Sequence, residues 1–163
     1  MIGIGRQTDY AARIVLHLAC LDAEAQVSVG EIAQQRLLPE PFVRRLVGRL
    51  VGAGILQSAR GFKGGIRLAR PASDISMLDL VVAMEGSVAL NACVDHSDAC
   101  PFAAACPVHS AWTDVTRSLQ EQLATIRFDQ LAKGTEGHVA AHRQLKHAES
   151  PSKPGKAKTR STP

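Results

Sequence analysis

The chain is poor in aromatic residues, with four Phe, one Tyr and one Trp in 163 positions. So few rings disfavour a stacking platform for single-stranded nucleic acid. No uninterrupted apolar run approaches the roughly 18 residues that a membrane-spanning helix needs, so no membrane partner is expected. The first residues lack the basic start and long apolar stretch of a secretory signal, and a cytoplasmic protein is expected. Glycine (13) and proline (8) stand at ordinary levels, which excludes collagen-like and globally disordered chains. No nucleophile–base pair stands out away from one thiol-rich segment, and the glycine-rich stretch 61–65 lies between strands with no helix behind it to hold a nucleotide. An enzyme is therefore not expected, and neither catalytic residues nor a small-molecule substrate are assigned. What is present is 45% hydrophobic and 21% charged, enough for one modest core.

The net charge of +4 is unevenly spread. Residues 1–35 sum to −2, 36–70 to +7, 71–132 to −6 and 133–163 to +5. A basic block of that density is the usual footprint of a phosphate backbone, the alternative being a solvated face.

Apolar residues at helical spacing from Thr8 onward (Ala11, Ile14, Val15, Leu18) predict a first helix, with Thr8 or Asp9 available to cap it. Cys20, on its apolar side, reads as a small core residue. Ser28 with Glu31 three positions on predicts a capping box and a short second helix. A third is expected over about Pro41 to Val51, since proline suits a first turn. At about 100° per residue, with Arg44 at zero, its core positions fall at about 160° to 300° and Arg45 and Arg49 near about 100° and 140°. Short strands on either side of Gly61–Gly65 complete three helices and a basic hairpin, the winged-helix arrangement. The third helix is then expected in the major groove, with Arg44 and Arg45 reaching base edges. Ser28, Arg49, Arg60, Lys63 and Arg67 are expected at phosphates or the minor groove.

A further buried helix around Met77–Met84 is closed by Gly86. Beyond it, Val108, Trp112, Val115, Leu119, Leu123 and Ile126 recur every 3.6 residues on average and predict a long amphipathic helix that pairs with a second copy. The expected fold is mainly α with a small β-hairpin wing: a winged-helix DNA-binding unit over 1–86, a cysteine loop and dimerisation helix over 87–132, and a basic, disordered tail over 133–163.

Three of the four cysteines fall in one segment ending in a histidine, Cys93, Cys100, Cys106 and His109, spaced C-x6-C-x5-C-x2-H. An odd number of thiols in a short loop argues for metal rather than disulfides. Three thiolates and an imidazole could hold zinc or an iron–sulfur cluster, and gaps of six and five residues favour the larger perimeter of a cluster. His96, between Asp95 and Asp98, reads as a solvated side chain.

The opening Thr8-Asp9-Tyr10-Ala11, the wing Arg60-Gly61-Phe62-Lys63-Gly64-Gly65-Ile66-Arg67-Leu68 and the cysteine triplet before a long helix resemble the iron–sulfur winged-helix transcriptional regulators that include IscR and NsrR. The resemblance covers about residues 1–132. It implies a homodimeric, sequence-specific DNA-binding regulator, a repressor by default, whose operator affinity responds to redox state, nitric oxide or iron. It also implies a cluster held by Cys93, Cys100, Cys106 and His109, with 2Fe–2S slightly favoured. Asp9, as the alternative fourth ligand, would accompany 4Fe–4S. Where IscR carries a Glu-Gln pair on the recognition helix this chain has Arg44 and Arg45, so a more guanine-rich operator is expected. The alternative reading is a zinc-stabilised DNA-binding regulator without cluster sensing.

Overall fold

The computed structural model describes residues 3–135 except 60, 62, 63, 97 and 99. Helix α1 spans Arg6–Ala19, α2 Val29–Arg36 and α3 Glu40–Gly52. Strands β1 (Leu56–Ala59) and β2 (Gly65–Leu68) pair antiparallel with Leu56 opposite Leu68. Helices α4 (Met77–Glu85), α5 (Ala92–Asp95), α6 (Pro107–Thr125) and α7 (Phe128–Lys133) follow. This is the expected winged helix with a long helix after it.

The periodic residues do what their spacing requires. Ala11, Ile14, Val15 and Leu18 of α1 meet Ile32 and Ala33 of α2 and Val43, Leu46, Val47 and Leu50 of α3 in one core. The hairpin adds Leu56 and Ile66, and α4 adds Leu80 and Met84. Ser28 caps α2 by the expected box, accepting from Glu31 N at 3.1 Å while the Glu31 carboxylate accepts from Ser28 N at 2.7 Å. Behind the wing, Val27 exchanges backbone hydrogen bonds with Ile66 at 3.2 and 2.8 Å. That approach requires Gly65: a Cβ there would lie 2.9 Å from Gln26 Cβ.

Two local expectations are corrected, and one helix not read from the sequence is added. Neither Thr8 nor Asp9 caps α1, which starts at Arg6 with Gly5 as its cap residue. The Glu85 carboxylate supplies the missing acceptor, taking a hydrogen bond from Gly5 N at 3.2 Å and another from the buried Thr8 hydroxyl. Cys20 is exposed, because α1 ends before it and the stripe it would have joined stops at Leu18 and Ala19. Finally, α7 returns to the core: Phe128 is fully buried, and its N–H donates to Ile75 O at 3.1 Å while Met77 N donates to Ile126 O at 2.8 Å. The boundary expected at residue 86 thus lies upstream of a helix that packs on the first unit.

The turn between α2 and α3 contains Leu37 at φ 54°, a left-handed conformation disfavoured for a side chain, and this leucine is 71% exposed. His17 of α1 is buried, and its Nδ1 lies 2.9 Å from Arg36 Nη2. Burial, and then the neighbouring Arg36 charge, hold its pKa down from the ordinary 6.5 to about 4, so the ring is neutral near pH 7.

Candidate nucleic-acid interface and thiolate loop

The face of α3 turned from the core presents Arg44 and Arg45, both exposed. Arg44 pairs with Glu40 one turn earlier at 2.7 Å. Arg45 lies over the Phe42 ring, 4.8 Å from its centroid, and Phe42 in turn packs edge-on against Tyr10 at 5.6 Å. Each guanidinium thus has one contact within the helix, to Glu40 or to the Phe42 ring, and both side chains remain exposed. Phe42 therefore fixes the direction of Arg45, a role that sequence reading, which counted the ring as core, did not assign.

Between α3 and the wing runs a cleft of about 410 Å³, lined by Ser28, Arg44, Gly48, Ser58 and Gly64 among others. Ser28 stands exposed at the start of α2, where backbone N–H groups and the helix dipole favour an anion. Two other arginines are engaged within the chain. Arg49 donates from Nη2 to the carbonyls of Ala83, at 3.4 Å, and Met84, which ties α3 to the last turn of α4. Arg67, on the hairpin face opposite Ile66, donates to Glu24 at 2.7 Å. The Gln57 amide, oriented with its oxygen toward Arg67, accepts from Nε at 2.6 Å and Nη2 at 3.0 Å. Arg60 and Lys63 lie outside the described residues.

After Gly86, which takes the φ of 95° that ends α4, the chain runs alongside α6. Gln120 donates to Val88 O at 2.8 Å, and Leu90 N donates to the buried Thr116 hydroxyl at 3.3 Å. Neither Thr116 nor Gln120 carried a signal in the sequence, since their partners are backbone groups some thirty residues away. Cys93 lies on α5, Cys100 in the loop, Cys106 at the cap of α6 and His109 in its first turn. The three thiols are free and half-buried. His109 Nδ1 is buried with no hydrogen-bond partner among the described residues. Cys106 and His109, three apart at one helix start, share a face. No three His, Cys, Asp or Glu side chains converge as a metal-holding group among the described residues. Asp9 is exposed on α1 and pairs with Arg13 at 2.9 Å. His96 is exposed beside Asp95, as a solvated histidine should be.

A family model described as Rrf2, iron-dependent transcriptional regulator, matches residues 4–134. The chain belongs to the Rrf2 family of transcriptional regulators. Protein aau3 of Rhizobium meliloti is 32% identical over 129 residues, 78% of this chain and 83% of that one. The regulator IscR of Vibrio atlanticus is 28% identical over 135 residues, 83% of this chain and 78% of that one. Among solved structures, CymR, the global cysteine regulator of B. subtilis, matches with a TM-score of 0.68 and 26% identity, covering 83% of this chain and all of that one. IscR of T. potens matches with a TM-score of 0.62 and 26% identity over 93% of each chain. Rrf2 proteins are DNA-binding transcriptional regulators and not enzymes. No helix among the described residues is long and apolar enough to cross a membrane.

Proposed function

We propose that this Rrf2 protein is a cytoplasmic homodimeric repressor whose operator affinity is switched by an iron–sulfur cluster held by Cys93, Cys100, Cys106 and His109. The observation that carries the reading is the donor set at the head of α6. It comprises three free, half-buried thiols and an imidazole nitrogen that burial has taken from water with no partner among the described residues. Soft thiolates with one imidazole suit iron–sulfur or zinc, and membership of a family described as iron-dependent favours iron. His109 is the fourth ligand in this reading, because it shares a helical turn with Cys106, whereas Asp9 lies on α1. When bound, a 2Fe–2S cluster supplies sensitivity to oxidation, nitric oxide and iron supply.

The remaining work falls to the chain itself. Arg44 and Arg45 reach guanine edges in the major groove, while Ser28, with Arg60 and Lys63 of the wing, contacts phosphate. Arg67 and Arg49 join them only by leaving Glu24 and the α4 carbonyls. Val108, Trp112 and Val115, exposed along α6, and Ile126 just after it form the seam between two copies. The loop that carries the thiols follows the last turn of α4, where Arg49 of α3 reaches the Met84 carbonyl and Glu85 accepts from Gly5 and Thr8 at the start of α1, so its ordering bears on the recognition helix. Residues 1–86 thus form the DNA-binding unit, with α7 folded onto it. Residues 87–132 form the sensing and pairing unit, and 133–163 a basic tail that lies outside the described residues from 136 onward.

The test is operator binding by protein prepared without oxygen, before and after removal of its metal by a chelator. A change in affinity of at least about tenfold, equal to about 1.4 kcal/mol of coupling, is expected. Equal affinities that both fall steeply with salt would favour the second reading, a zinc-stabilised regulator with no sensing role.

A further inference from the structure

Two glycines of α3, Gly48 and Gly52, have open space where a Cβ would stand, but Gly52 is the last residue of the helix, whereas Gly48 lies inside it. Glycine is the poorest helix former after proline, because it has the most backbone freedom to lose. It sits in the interior of a thirteen-residue helix. The fold does not require it: a Cβ built there meets nothing within 4 Å, and its φ is not positive. Gly65 is the instructive contrast, since there a Cβ would collide with Gln26. A glycine that weakens its helix and relieves no crowding within the chain is explained by something that approaches from outside.

Its position says what that is. On a wheel of about 100° per residue with Arg44 at zero, the core positions occupy about 160° to 300°, so the free face is centred near about 50°. Gly48, at about 40°, lies at the middle of that face, between Arg44 and Arg45. It also lines the cleft that α3 makes with the wing.

We propose that Gly48 is a positioning and specificity residue for DNA: it lets the backbone of α3 seat directly against base-pair edges on the floor of the major groove. Arg44 and Arg45, flanking the contact, are thereby brought within hydrogen-bond reach of the bases. A methyl group at position 48 holds the helix off the groove and lifts both guanidiniums with it. The inference rests on the reading of the chain as a major-groove binder.

The test uses the full-length protein and a duplex enriched from random-sequence DNA by the wild-type chain. Gly48→Ala is expected to raise the melting temperature by about 2–8 °C, as a better helix former with no clash. The same change is expected to weaken binding to the enriched duplex by at least about tenfold, or about 1.4 kcal/mol. Affinity for unrelated duplex and the salt dependence should stay as in the wild type, because no charge is lost. Gly48→Leu should lose more of the selective binding than Gly48→Ala. Selective affinity within about twofold of the wild type in both variants overturns the proposal, as does a lower melting temperature for Gly48→Ala, which would place the glycine in the service of the fold. If the wild-type chain enriches no sequence at all, the major-groove reading fails first and this inference with it.

Discussion

In the winged-helix body, α1 to α4 and the hairpin bury their apolar faces against one another. In α6, by contrast, Thr116 is the one buried residue of nineteen, while Val108 and Val115 are 61% and 52% exposed. The polar groups divide the same way. The body satisfies its helix ends with Ser28, Ser76 and Glu85, whereas the segment from α5 into the first turn of α6 carries three free thiols and an imidazole nitrogen with no partner among the described residues. A chain that completes one half internally and leaves the other half's apolar stripe and thiol and imidazole donors open fits the proposal that a second copy and a metal complete it. In that proposal the open half is where a signal acts, because whatever binds there adds to its stability.

The largest effect should come from breaking the body where α7 closes it. Phe128→Ala should cost about 3–5 kcal/mol of stability in a denaturant titration, since a fully buried aromatic leaves a cavity. Touching only the open half should do the reverse. Val115→Asp should leave the melting of the body unchanged and raise the dimer dissociation constant by at least about tenfold in sedimentation, about 1.4 kcal/mol. A smaller gain is expected at the turn before α3. Leu37→Gly relieves a left-handed side-chain conformation and forfeits no packing, and should stabilise by about 0.5–1 kcal/mol.

The subtlest sharpening concerns pH. His17 is neutral in the folded chain down to about pH 4 but takes a proton below about 6.5 when unfolded. Between those values the unfolded state binds more protons, so the stability contributed by a neutral His17 is present above about pH 6.5 and lost as pH falls toward 4. His17→Asn, which keeps an acceptor for Arg36 and removes the titration, should flatten this part of the stability profile measured from pH 7 to pH 4.

Much of the body was legible because its signals are local. The spacing of Ala11, Ile14, Val15 and Leu18, the Ser28–Glu31 box and Pro41 each state a helix within a few residues, and the Gly61–Gly65 stretch states the wing. What was hidden depends on long-range partners. Helix α7 is six residues long, too short for periodicity to declare it, and Phe128 gains its role only by meeting Ile75 and α1. Glu85 caps a helix eighty residues away, and Arg49, which reads as one more exposed base on a wheel, is spoken for by carbonyls of α4. The thiolate loop was legible as composition and spacing, while the placement of its donors was not, since Cys93 lies on α5, Cys100 in a loop and Cys106 and His109 at the start of α6.

The most direct test of the account is the iron, sulfide and zinc content of protein purified without oxygen, read with its visible spectrum, for the wild type and for His109→Ala and Asp9→Ala. The account predicts a coloured protein with about two iron and about two sulfide per chain, lost in His109→Ala and kept in Asp9→Ala. A colourless protein with one zinc per chain would contradict it, as would about four iron per chain that depend on Asp9 and not on His109.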